Sequence, residues 1–213
     1  MLRYLKIALL MMFHTGLLYS QQVHFGISVG NNLSLIHVRS DYSISGYSYT
    51  PLMGFSIGLV TRTRMNEKVN LEGGLLFSLL RSQNNSTTLF RNNLGNVTGI
   101  VTKKNINNNY IQLRFNPDIR IIENVYLGSG INLDILLSSK TRYLDYQQNL
   151  KLKNYHYNPI GIHIPVFVSV DVQPVNLNLG FNKAIGSRLK DRNSSIEELD
   201  NYFYFEVHYY FNR

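Results

Sequence analysis

Residues 202–211, YFYFEVHYYF, constrain the fold more than any other part of the chain. Phe203, Phe205, Val207, Tyr209 and Phe211 fall on one face of the pattern, and Tyr202, Tyr204, Glu206, His208 and Tyr210 on the other. A period of two held over this length fits a β-strand and not a helix. Left as a free edge in water, so aromatic a strand would recruit other chains. Pairing it with the first strand closes the sheet and removes the edge, so the segment predicts a barrel.

Seven further segments alternate in the same way, at 23–35, 51–61, 69–80, 110–121, 125–138, 160–172 and 175–185. Leu76 and Leu80 weaken the pattern in the third. The connections at 62–68, 123–124 and 173–174 are short, and those at 36–50, 81–109, 139–158 and 186–201 are long and rich in Asn, Ser, Lys and Tyr. Short turns alternating with long loops mark an up-and-down transmembrane barrel, and these strands match the roughly 9–11 residues that cross a bilayer. The expected fold is therefore all-β: an eight-stranded antiparallel transmembrane β-barrel at 21–213, after a cleaved signal peptide at 1–20. Arg3 and Lys6 precede an apolar run at 7–18, and polar residues follow from Ser20, the order of a secretory leader.

Alternation alone also fits a soluble, lipocalin-like barrel with its apolar face inward. The polar face decides between them. It is Gly, Ser and Asn with single charges, while the lysines sit almost wholly in connections, with Lys183 at a strand end. Small residues suit the crowded bore of an eight-stranded barrel, so the apolar face is assigned to lipid. Such a bore is filled by side chains, which disfavours a diffusion porin, whose strands number roughly 16–18.

The net charge of +8 raises nucleic acid as a partner, but the lysines form no tract, and loops near anionic headgroups account for them. The chain has no cysteine, which excludes thiol chemistry, disulfides and cysteine-based metal sites. No cofactor is expected.

FGISVGNNLS at 25–34, GFSIGL at 54–59, YIQLRFNPDIRI at 110–121 and VYLGSGINLDILL at 125–137, with the aromatic last strand, resemble the PorT-like small outer-membrane barrels, in the wider group of OmpX-like barrels. Asn212 and Arg213 after the final aromatic depart from the usual ending, and Asn116 before Pro117 stands where the family more often has an apolar residue. The resemblance implies an outer-membrane location. For the best-known members it implies a part in type IX-like protein export, and it carries no catalytic residues.

Three groups of residues could carry chemistry. Glu72, Arg114, Asp134 and Glu206 are expected to pair in the lumen, since unpaired burial is costly. His24 and His208, near the closure of the first and last strands, are expected to lie close together, as a register-fixing pair or a metal or proton site. Tyr42, Tyr47, Tyr49, Tyr143, Tyr146, Tyr155 and Tyr157 crowd two long loops, as an interfacial girdle or a binding surface. Phe203, Phe205, Val207, Tyr209 and Phe211 form the insertion-signal face of the last strand. The expected role is non-enzymatic, through the loops or an envelope or export assembly. Expected partners are outer-membrane lipid, the barrel-assembly machinery and envelope or secretion proteins. The rivals are the soluble barrel and a barrel enzyme acting on lipid or peptide, for which His37, Asp41, Ser43 and Ser45 supply residue types without a nucleophile motif.

Overall fold

The computed structural model describes residues 23–40, 47–91, 97–143, 151–153, 157–188 and 196–211. Its strands are β1 (Val23–Ser40), β2 (Tyr47–Arg64), β3 (Val69–Arg91), β4 (Val97–Ile122), β5 (Val125–Ser129), β6 (Ile131–Tyr143), β7 (Lys151–Lys153), β8 (Ile160–Val172), β9 (Val175–Ile185) and β10 (Ile196–Tyr210). Neighbours pair antiparallel from β1 through β4. β4 then pairs with both β5 and β6, and both of these pair with β8. β8 continues to β9, β9 to β10, and β10 back to β1.

The wall is thus a closed ring of eight strands, with β5 and β6 as two halves of one of them. The expected fifth strand at 125–138 divides at Gly130, where a side chain would run into the β4 backbone at Phe115 and Asn116. β7 is a short addition on the outer end of β6. The closing seam runs from Gly26↔Tyr210 to Ser40↔Ile196, and the Phe211 N–H donates to the Phe25 carbonyl at 2.8 Å.

The largest correction concerns the long connections. Most of 81–109 is strand, because β3 and β4 stay paired out to Arg91↔Val97. β1, β2, β6 and β10 also run past their expected ends. Asn, Ser and Thr lower the apparent strand signal when read as composition, yet Ser82, Asn84 and Asn108 lie buried on the inner face, where small polar side chains suit a narrow bore. With roughly 9–11 residues needed to cross a bilayer, β3 and β4 project well beyond it.

The apolar face points outward. Phe25, Ile57 and Val166 are 51%, 50% and 53% exposed, whereas Arg62 is 2% and Glu206 and His208 are 0% exposed. No carboxylate or imidazole could be dehydrated so thoroughly on a water-facing side, and no water-soluble sheet would present such a band of Ile, Val and Phe.

Leu76 and Leu80, which weaken the third segment's pattern, keep its phase: both point inward and are buried. They join two interior clusters, Leu76 with Val60 and Tyr210, and Leu80 with Tyr110, Phe167, Tyr202 and Tyr204. Glycines make the room. A side chain at Gly128 would occupy the place of the Phe167 ring, and one at Gly180 that of the Tyr204 ring. The narrow bore thus seats the Phe167 and Tyr204 rings opposite missing side chains.

Candidate functional site

The lumen is filled by tiers of polar side chains, and alternation along the strands places each of them. In the tier nearest the short turns, Arg62 on β2 reaches Asp171 on β8 (Nη1 to Oδ1, 2.9 Å) and Asp118 on β4 (Nη2 to Oδ2, 2.7 Å). Asn70 Nδ2 donates to Asp118 Oδ1 at 2.7 Å, and the Arg62 guanidinium lies 4.6 Å from the Tyr126 ring centre. Below this tier the bore opens into a vestibule of about 710 Å3, lined by His24, Arg62, Arg64, Arg120, Tyr126 and Asp171 among others.

The next tier holds Arg114 on β4 against Glu206 on β10 in a two-pronged pair, with Nη2 to Oε1 at 2.7 Å. The hydroxyl of Ser56 donates to Glu206 Oε1 at 2.8 Å. His208 stands between two carboxylates, 3.3 Å from Glu206 Oε2 and 3.2 Å from Glu72 Oε2. Arg114 Nε donates to Gln112 Oε1 at 2.6 Å, and the Gln112 amide donates to Asp134 Oδ1 at 2.7 Å and to the Tyr202 hydroxyl. Asp134 Oδ2 lies 3.2 Å from His163 Nδ1, close but without the alignment of a hydrogen bond. On its far side, His163 Nε2 is 2.9 Å from the Asp200 carbonyl oxygen.

The outermost tier closes the mouth. The Tyr110 hydroxyl donates to Asp200 Oδ2 at 3.1 Å, and the Tyr49 hydroxyl donates to Glu198 Oε1 at 2.7 Å. Arg188 pairs with Glu198 (Nη2 to Oε2, 2.6 Å) and lies over the Tyr157 ring at 4.7 Å. Burial pushes the Tyr157 hydroxyl up to about 12, so it stays neutral beside that cation.

The expected lumen residues thus meet in part. Glu72, Arg114 and Glu206 share one network with His208, while Asp134 joins it through Gln112. His24 does not reach His208. The register sets Ser28, not His24, beside His208, and the Tyr210 ring stands between the two histidines, 6.4 Å from one and 6.3 Å from the other. The expected closeness fails because closure staggers the seam by four residues. Among the described residues no cluster of His, Asp and Glu has metal-binding geometry.

Of the loop tyrosines, Tyr49 and Tyr157 turn toward Arg188. Tyr42, Tyr146 and Tyr155 lie outside the described residues, as do the side chains of Tyr47 and Tyr143. Phe203, Phe205, Tyr209 and Phe211 face outward, all more than two-fifths exposed. Asp41, Ser43, Ser45 and the His37 side chain lie outside the described residues, and so does 1–20, where a leader is expected.

Sequence reading missed Arg62, which it placed in the first short turn. The signal was present: Ser56, Gly58, Val60 and Arg62 continue the inward phase of β2. Gln112, Asp118, Asp171 and His163 were visible as polar-face residues, but Asp200 and Arg188 sat in what reads as a loop.

A closed ring with an apolar outside and an ionic, side-chain-filled inside is a transmembrane β-barrel, the class that spans bacterial outer membranes. The chain belongs to the outer membrane protein beta-barrel domain family, whose model matches residues 19–190. β10, beyond that match, supplies the closing strand.

Among solved structures, neisserial surface protein A aligns with a TM-score of 0.50 at 13% identity, covering 88% of this chain and 97% of that one. Ail, the attachment invasion locus protein of Yersinia pestis, solved with the heparin analogue sucrose octasulfate, gives 0.46 at 14% identity, covering 89% and 99%. The outer membrane protease OmpT of Escherichia coli gives 0.37 at 11% identity, covering 90% and 97%. At these identities the likeness is one of fold. No curated protein sequence matches the chain.

Proposed function

We propose that this outer-membrane barrel is non-enzymatic and non-conducting, and that it acts through its outer strands and connections or as a component of an envelope or export assembly. One observation carries the reading. Arg62–Asp171 and Arg114–Glu206 each join strands on opposite sides of the ring, so the bore is crossed wall to wall at two levels. Carboxylates committed to arginines in this way are poor acid–base catalysts, because their charge is already spent on structural partners. The long β3–β4 hairpin, projecting beyond the bilayer, offers a rigid surface to another protein. The resemblance to PorT-like barrels supports the export side of this reading, which also takes the chain to reach the membrane behind a leader cleaved after Ser20. The short turns then face the periplasm and the long hairpins the exterior.

The test is photo-crosslinking in living cells from positions on the projecting hairpin, such as Thr87, together with planar-bilayer recording of the purified barrel. The reading expects an adduct with another envelope protein and no stepwise conductance. Steady open-channel currents from the unaltered protein would overturn it. So would turnover of a lipid or peptide that is lost on substituting His37 or Asp41.

A further inference from the structure

The outer ends of β3, β4, β6 and β7 lie side by side, and their register sets basic residues in rows. Arg81 stands opposite Asn107, Asn107 opposite Lys140, and Lys140 opposite Lys153. One outward step further, Gln83, Asn105, Arg142 and Lys151 form the next row, with Lys103 beyond it on β4. Arg81, Lys103, Lys140 and Arg142 are all exposed. Segments 81–91, 97–109, 138–143 and 151–153 contain no Asp or Glu, and the β6–β7 connection adds only Asp145.

Like charges directly opposed on neighbouring strands destabilise a sheet. The register sets Lys140 opposite Lys153 and Arg142 opposite Lys151, so the exposed Lys140 and Arg142 gain from an anion. Glu198 and Asp200 of β10 are turned inward to Arg188 at the mouth, and β10 lies on the opposite side of the ring from β4.

Height along the wall identifies that anion. The row containing Arg81 stands two steps outward from the apolar row of Phe77, Ile111 and Ile135, with the row of Leu79, Asn109 and Ser138 between them. The cations therefore begin where hydrocarbon gives way to headgroups. Arg81 Nε donates to Asn107 Oδ1 at 3.3 Å, which turns its guanidinium along the row. Guanidinium forks and ammonium groups together are the usual phosphate-binding set.

We propose that this face binds the phosphate groups of an anionic lipid headgroup in the outer leaflet, with the acyl chains lying along the apolar rows beneath. A soluble sulfated polysaccharide would meet the same charges. The continuity of the patch with the lipid-facing band selects a ligand that has both phosphate and acyl chains. The surface takes in the lower part of the β3–β4 hairpin, beneath the level of Thr87, and its test does not depend on whether a protein partner binds there.

The barrel, refolded in detergent, is titrated with bisphosphorylated lipid A and with the same lipid stripped of its phosphates, and binding is read by native mass spectrometry. The phosphorylated form is retained and the stripped form is not. The double variant Lys140→Gln/Arg142→Gln weakens retention about 25-fold, near fivefold per cation. Lys68→Gln, an exposed cation in a short turn, leaves it unchanged. Both side chains of the double variant are exposed, and an unboiled, fast-migrating gel band verifies its fold. Equal binding of the two lipids, or undiminished binding by the double variant, overturns the proposal. Retention of a heparin fragment without lipid A also overturns it, and assigns the face to a soluble polyanion.

Discussion

Arg62 and Asp171 are separated by 109 residues and stand on opposite walls of the barrel, yet their side chains meet at 2.9 Å. Arg62 also holds Asp118 at 2.7 Å, so one guanidinium ties β2 to both β4 and β8. Replacing it leaves two carboxylates in a tier that is almost fully buried.

Arg62→Leu is therefore expected to destabilise the barrel by roughly 3–5 kcal/mol, the usual effect of stranding a buried charge. Adding Asp118→Asn and Asp171→Asn to it recovers much of that loss, because no unpaired charge then remains. Guanidinium unfolding in detergent, followed by circular dichroism, measures both. A single variant as stable as the parent would show that the tier is not a structural strut.

Arg114 and Glu206 form the second crossing, and here a double-mutant cycle is the informative test. Arg114→Leu and Glu206→Leu each cost about 3–5 kcal/mol alone, while the double variant costs less than the sum by about 1–3 kcal/mol. Strict additivity would mean that the two side chains do not depend on each other.

The Phe167 ring occupies the space that a side chain at Gly128 would need. Gly128→Leu is expected to destabilise the barrel by about 1–3 kcal/mol through overpacking. Combining it with Phe167→Ala vacates the space and restores part of the loss. The same unfolding assay reads this, and a Gly128→Leu barrel of parental stability would contradict the close approach.

At the mouth, the Tyr49 hydroxyl donates to Glu198, which also pairs with Arg188. Tyr49→Phe removes one hydrogen bond to a charged acceptor and costs about 1.5–3 kcal/mol at most. Amide exchange accelerates in the outer parts of β2 and β10 and stays slow near Arg62. Uniform acceleration along both strands would show that the mouth and the lower tiers unfold together.

The intact wall should resist detergent. An unboiled sample is expected to run ahead of a boiled one on a denaturing gel, since a closed ring has no edge from which to unzip. A single band at the unfolded position in both lanes would argue against closure.

Sequence reading reached the ring, its strand number and its inside-out polarity because alternation is a local property that each strand displays by itself. Arg114 and Glu206 were recognisable for the same reason, as lone charges on a face of small residues. The pairing partners were less accessible. Which charge meets which depends on the stagger of the seam, and Gly26↔Tyr210 sets His24 well below His208. The ends of the strands were hidden as well, since Asn105 to Asn109 read as low-complexity loop. In the folded chain they are rungs of the β3–β4 and β4–β6 ladders.

The two crossings also impose an order of events. Arg114 waits 92 residues for Glu206, and Glu206 arrives only with the last strand. Until β10 docks, Arg114 and the Glu72 carboxylate lack the partners that neutralise them, and the seam with β1 is open. Contacts so distant in sequence form late. The strand that closes the ring therefore also discharges the interior, which makes the final step of insertion the one that commits the protein to the membrane.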